Sequence, residues 1–297
     1  MSRLRRAASR LACDVGVQLR NRQTRGTLLA LGLLPIAFTI ALVATGAGRP
    51  ETVQSEVLVP SSSALSIWVL ALSSTMKFFL PLAISIFAGN AVAGEVASGN
   101  LRYVLASPRR RSAVLLQRLL VAVVLSTLAV LALCAGALLA GVIFFGWHPL
   151  AIVLPAKTAG DLNPLAVATA SRGAASVLTP LEAVWRLVES TAYVGSGMVT
   201  ILAFGFLCSV LFSRPFIAIS AGVGLAVVSW SLQSDMAPEL ARIAPFTPVH
   251  GIGKWQYLLL SHPETGGMET FILKQVAYVS VFLLVAWWTF AHKDVLA

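Results

Sequence analysis

The sequence predicts an all-α, polytopic membrane protein with six transmembrane helices. Three observations carry that reading. Hydrophobic residues fill 57% of the 297 positions and charged residues only 11%, whereas soluble domains carry about 25% charged residues. The mean hydropathy is +0.83. Apolar runs of membrane-spanning length, about 18 residues or more, follow one another along the chain. A transmembrane β-barrel would instead alternate in segments of about 10 residues, and these runs do not alternate.

Residues 1–26, "MSRLRRAASRLACDVGVQLRNRQTRG", are basic for longer than a signal peptide allows, and the apolar run that follows is long enough to span. That run is read as a retained helix. The spans are placed at 27–48, 66–92, 113–145, 187–211, 215–233 and 271–291, making 27–297 one transmembrane domain. The third is too long for one straight crossing, so its first turns project from the bilayer. Pro35 and Pro81 fall inside spans and predict kinks. The fourth and fifth spans are joined by little more than "FSRP", Phe212 to Pro215.

Basic residues set the orientation. With the N-terminus in the cytoplasm, fourteen of the 22 basic residues fall on the inner side, and nine of the 12 acidic residues fall outside. The net charge of +10 is therefore a topology signal, with both termini cytoplasmic. It is not the basic face of a soluble nucleic-acid binder, so no nucleic acid is expected as a partner. Trp68, Trp147, Trp185 and Trp230 lie near outer span ends and Trp287 and Trp288 near an inner end, as interfacial belts favour.

The outer loops are long, about 147–186 and 234–270. In the first, "TPLEAVWRLVES" offers Thr179 as a cap, Pro180 at the first helical position and Glu182 to complete a capping box. An outer helix is expected to start there and feed the fourth span. The second, "PELARIAPFTPVHGIGKWQYLLL", mixes apolar residues with Pro and Gly. It either lies at the interface or dips part-way into the bilayer with its backbone satisfied against protein. No internal repeat and no linker to a second soluble domain is found.

The most polar internal segment is "GEVASGNLRYVLASPRRRSAVLLQ", Gly94 to Gln117, on the cytoplasmic side. Arg109, Arg110 and Arg111 suit anionic lipid headgroups. Before them, Ser98 or Asn100 suits the cap of a short helix, with Leu101, Val104 and Leu105 on one face and Pro108 at the stop. Three readings compete for this helix: part of a positive-inside loop, a docking element for a partner protein, or a helix folded back on its own bundle.

The segment resembles the first cytoplasmic loop of ABC-2-type permeases, the membrane subunits of type V ABC exporters. Their pattern is an acid at the end of the second span, then roughly Gly-Thr-Leu-x-x-Leu-Leu-x-x-Pro, and an Arg a few residues later. Glu95 matches the acid, and Gly99, Leu101, Val104, Leu105 and Pro108 match the core. Arg110 or Arg111 matches the later Arg, while Asn100 stands where Thr is usual. The short turn between spans four and five, the Pro-rich outer region before span six and the ending "WWTFAHKDVLA" are also similar to the family. The roughly 40-residue outer loop before span four is longer than the family leads one to expect.

The resemblance implies a mechanism. Residues 98–107, Arg102 among them, would form a coupling helix seated in a groove of a separate ATP-binding subunit. Residues 1–26 would be a cytoplasmic amphipathic connecting helix on the inner leaflet, with Arg3, Arg5, Arg6 and Arg10 at lipid headgroups. Glu95 would pair with a basic residue of that helix or of the partner. A second permease copy or a sister permease would complete the pore in a bacterial inner membrane. The cargo class would be lipid-like, polymeric or amphipathic.

The chain contains no Gly-x-x-x-x-Gly-Lys-Ser/Thr phosphate loop. It is therefore expected to be no enzyme and to bind no cofactor, with ATP and Mg held by the partner subunit. Cys13, Cys134 and Cys208 show no disulfide or metal-site spacing and read as packing residues. His148, His250, His262 and His292 lie near loops or ends, and no His-Glu-x-x-His site occurs. Lys77, in "SSTMKFFLP", is the one ionisable residue that falls deep within a span. It either snorkels or pairs locally, or it lines a cavity and attracts a polar substrate. The alternatives to an exporter subunit are a secondary transporter, or a non-transporting membrane scaffold or immunity protein.

Overall fold

The computed structural model describes residues 2–44, 63–99, 111–152, 176–233, 242–260 and 265–292. Helix α1 runs over Ser2–Arg20 and α2 over Arg22–Ala44. The join at Asn21 is closed locally: Asn21 Oδ1 accepts from the Gln23 amide at 3.2 Å, and Arg25 Nε donates to the Leu19 carbonyl at 2.7 Å. In α1, Leu11, Val15 and Leu19 repeat every four residues and pack on the core, so one stripe of this basic helix is apolar.

The second span is not one helix. It consists of α3, Ala64–Thr75, and α4, Phe79–Asn90, whose axes differ by 61°. Pro81 explains the position of the break. It has no N–H for the carbonyl of Lys77, and its ring would clash there if the helix continued. The bend expected at Pro81 therefore appears one turn earlier, at residues 76–78.

Helix α5 is short, Ala93–Ala97, and α6 is long, Arg111–Phe145. Its 35 residues extend about 52 Å at 1.5 Å per residue, more than the roughly 30 Å of a hydrocarbon core. Strands β1, Leu150–Ile152, and β2, Ser176–Leu178, pair antiparallel with Leu150 opposite Leu178. The fold is all-helical as expected, apart from this three-residue ribbon, in which Leu150 and Leu178 are buried.

Helix α7 runs unbroken over Pro180–Leu211. It starts where the sequence suggests, with Thr179 at the cap position and Pro180 next, but the Thr179 side chain makes no capping bond. Helix α8, Pro215–Ser231, follows after the expected tight turn, and α9 covers Met268–His292. Between them lie two 3₁₀ helices, Ala244–Phe246 and Ile252–Leu259.

Among the described residues four helices, α2, α6, α7 and α9, are long and apolar enough to cross a membrane, and the bent pair α3–α4 makes a fifth if it counts as one span. These are the features of a multi-pass membrane protein. The fifth expected span, 215–233, corresponds to α8, which at 17 residues is shorter than the other spans and is not among those long enough.

The helices form two packing groups. In one, α1, α2 and α3 pack on α6; in the other, α4, α8, α9 and the second 3₁₀ helix pack on α7. The broken span joins the groups. Small residues set the close approaches, as in other helical membrane proteins. A Cβ on Gly136 of α6 would meet the Gly32 carbonyl oxygen of α2 at 1.9 Å, and one on Gly222 of α8 would meet Ser85 Oγ of α4 at 2.5 Å.

Segment 242–260 is packed against the bundle, with Val249, Ile252 and Trp255 fully buried. Side chains of α7 and α9 bond its irregular backbone. Tyr193 Oη donates to the Gly251 carbonyl at 2.9 Å, and Ser190 Oγ to the Trp255 carbonyl at 3.3 Å. Gln275 donates to the Pro248 carbonyl and accepts from the Thr200 hydroxyl. His250 is held below the usual histidine pKa by burial and then by Lys274 and Lys254, so it is neutral. The tryptophans divide: Trp147, Trp185, Trp287 and Trp288 are exposed, while Trp68 is buried in the bundle and not in an interfacial belt.

Gly136→Val places methyl groups where the α2 backbone lies. It is expected to destabilise the bundle by about 3 kcal/mol, the upper range for overpacking, and thermal unfolding in detergent reads the loss. Gly16→Ala is the control, because nothing lies within 4 Å of a Cβ there.

Candidate functional site

The end of the second span is built by a residue from the far side of the sequence. After α4 ends at Asn90 the backbone turns into α5, freeing amides that a continuous helix would have used. Ser209 of α7 takes them. Its Oγ accepts from the amides of Val92 at 3.0 Å and Ala93 at 2.9 Å and donates to the Gly89 carbonyl at 2.9 Å. Ser209 is buried, so no solvent replaces it.

Helix α5 then presents Glu95, and Ser98 and Gly99 end it. Ser98 is the C-cap, its amide bonding the Gly94 carbonyl. Gly99 has φ +74°, a left-handed conformation that favours glycine at this position. The expected helix over 98–107 is thus preceded by another, and its first two residues are a helix end. Asn100, Leu101, Arg102, Val104, Leu105, Pro108, Arg109 and Arg110 lie outside the described residues. Arg111 opens α6 and Arg3, Arg5, Arg6 and Arg10 lie in α1, but these side chains are also outside what is described.

Glu95 does find a basic partner, on α6. Arg118 Nη2 lies 2.5 Å from Glu95 Oε1, and Nη1 lies 3.7 Å from Asp14 Oδ2 of α1. Gln117 also donates to Asp14. One guanidinium therefore ties α1, α5 and α6 together. Glu95 Oε2 is buried and has no hydrogen-bond partner. Burial raises the Glu95 pKa above the usual carboxylate value; the Arg118 charge opposes this, and Asp14 adds to it. The cluster borders a cavity of about 730 Å³. Gln18, Asn21, Gln23, Asn90 and Ser98 give that cavity much of its polar wall, while Phe87, Val121 and Leu125 give it an apolar side.

Lys77 lies apart from this cluster, in the break between α3 and α4. It is exposed, with its Nζ 5.7 Å from the centre of the Trp230 ring of α8. Among the described residues no group of three or more His, Cys, Asp or Glu is placed to hold a metal.

A family profile described as DUF2705, proteins of unknown function, matches residues 38–296. The chain belongs to the DUF2705 family. No curated protein matches it. The DUF2705 match includes Glu95, Arg118 and Ser209 but begins after α1, so Asp14 and the helix that carries it lie outside the region the family defines.

Sequence reasoning singled out Glu95 and Gly99 but missed Arg118, Asp14, Gln117 and Ser209 as parts of one site. Arg118 was legible only as one more inner-side base. Its signal was position, seven residues into the apolar part of a long helix. Ser209 carried no signal, because a lone serine in an apolar run is ordinary.

Three outcomes are expected. Ser209→Ala leaves two buried amides unpaired and costs about 2 kcal/mol, whereas Ser209→Cys, which keeps a weak partner, costs less; unfolding in detergent ranks them. Arg118→Ala strands Glu95 beside Asp14 and costs about 3 kcal/mol, the low end for a buried pair. Glu95→Gln behaves differently, because the folded state holds the Glu95 pKa above its unfolded value. Ionisation of Glu95 therefore disfavours folding, and the stability of the natural protein falls relative to Glu95→Gln as pH rises through that raised pKa. Melting curves of both proteins across the acid-to-neutral range measure the divergence.

Proposed function

We propose that the chain is the permease subunit of an ATP-driven ABC exporter of the ABC-2 type, moving a lipid-like, polymeric or amphipathic substrate outward. The observation that carries the reading is the Arg118 cluster. It sits at the base of loop 100–110 and bonds α1, α5 and the start of α6. A force applied to that loop by a docked ATPase reaches all three elements through one guanidinium. The N-terminal helix, with its apolar stripe on the bundle and its arginines in sequence with it, suits the role of a connecting helix.

The proposed topology has six spans. The broken pair α3–α4 counts as one, and α8, at about 26 Å, as another that is only just long enough. Both termini are cytoplasmic, and the membrane is the bacterial inner membrane. The energy comes from ATP and Mg on a separate subunit, since the sequence has no phosphate loop. The exposed apolar faces of α2 and α9 offer surface to lipid and to a second permease. Lys77 at the helix break is proposed to face the substrate path.

Tagged protein solubilised from its native host in mild detergent is expected to co-purify with a stoichiometric ATP-binding-cassette subunit. Leu101→Asp and Leu105→Asp are expected to reduce recovery of that subunit at least tenfold while membrane insertion is kept. Intact, folded protein without such a subunit would overturn the reading and leave a secondary transporter or a scaffold. Full association of both variants would overturn the coupling assignment alone.

A further inference from the structure

A second cavity lies away from the Arg118 cluster, within the membrane-spanning part of the molecule. It is a groove of about 460 Å³ between α6 and α7, floored by Trp68, Ile84, Met198 and Leu202. That volume is in the range of small-molecule sites, about 300–1,000 Å³. Its rims, Leu131 of α6 and Val188 and Val199 of α7, are exposed, so it opens sideways from the bundle.

The lining is almost wholly apolar, and yet three polar atoms at its wall have no hydrogen-bond partner: Trp68 Nε1, Ser126 Oγ and Thr191 Oγ1. Trp68 and Ser126 are both more than nine-tenths buried. Trp68 and Thr191 lie beside the Cys134 thiol, which is only a weak acceptor for either. Unpaired donors in hydrocarbon are costly, because no water is there to take them. Ser126 and Cys134 are eight residues apart on α6, so the donors span about 12 Å along the groove.

We propose that this groove binds one glycerolipid, which enters from the bilayer with an ester carbonyl at Trp68 and Thr191 and an acyl chain running along α6 past Ser126. The three features fit that occupant together: a lateral mouth, an apolar channel, and at one end a pair of donors with only a thiol for acceptor. A purely hydrocarbon molecule would leave Trp68 and Thr191 without a strong acceptor, and a water-soluble one would have to cross lipid to arrive. The site rests on the membrane embedding of the chain and not on the exporter reading.

Gly195 supplies the blocking variant. It lines the groove, and nothing lies within 4 Å of a Cβ placed on it. Gly195→Leu therefore fills the groove without striking the protein, and leucine favours the helix over glycine. Thr191→Val removes a hydroxyl at constant volume.

The test reconstitutes the full chain in phosphatidylcholine vesicles containing a few percent phosphatidylcholine with a diazirine on one acyl chain. After irradiation, adducts are mapped by mass spectrometry. Adducts are expected to concentrate on the groove faces of α6 and α7, above their level on the exposed face of α9. Gly195→Leu is expected to reduce the groove adducts at least fivefold and to leave those on Leu273 and Leu284 unchanged. Thr191→Val is expected to weaken retention of the lipid through detergent exchange by severalfold. Even labelling of all exposed faces, or groove labelling unchanged in a folded Gly195→Leu protein, would overturn the proposal. The result is the same whether or not an ATPase subunit co-purifies, so failure here leaves the exporter reading standing, and the reverse.

Discussion

A helix that breaks inside a bilayer frees backbone groups that lipid cannot bond, and this chain breaks helices repeatedly. The rest of the structure follows from how the breaks are satisfied. At the end of α4 a single buried serine from α7 takes two amides and gives one proton back. In the outer 3₁₀ segment, Ser190, Tyr193 and Gln275 bond successive carbonyls. In each case the partner comes from α7 or α9, so these two helices are a scaffold on which the irregular parts are fastened. That explains why α7 is the most buried of the four long spans.

The Arg118 cluster obeys a different logic. Buried ions cost desolvation energy that their mutual attraction only partly returns, and the raised pKa of Glu95 is the local sign of that cost. A bundle selected for stability alone would place apolar residues there. The arrangement instead makes three elements depend on one another at the join between α5 and α6. Asp14 enters from a helix outside the DUF2705 match, so the shared region has a charged end that the N-terminal helix completes.

The sequence made some of this legible. Hydropathy and charge asymmetry located the long spans, the tight turn before Pro215 and the start of α7 at Pro180. For segment 234–270 it left two readings open, interfacial or dipping with its backbone satisfied against protein, and the described part, 242–260, has its carbonyls bonded by α7 and α9. Three things were not legible. Pro81 predicted a bend, but the depth of the break depends on what α3 and α4 each pack against. The β1–β2 ribbon is three residues a side and has no periodic signal above its loop. The Arg118 cluster joins residues more than 100 positions apart, and pairing at that distance is set by helix packing and not by local pattern.

The break at residues 76–78 has a mechanical consequence. It is where the chain passes from the α6-centred group to the α7-centred group. The rungs on either side are intact, Met76 amide to Leu72 carbonyl and Leu82 amide to Phe78 carbonyl, so any change of angle between α3 and α4 is taken up at Lys77 and Phe78. Trp68 of α3 and Ile84 of α4 both floor the α6–α7 groove, so that angle sets the shape of its floor. A straight second span would have welded the two halves into one block.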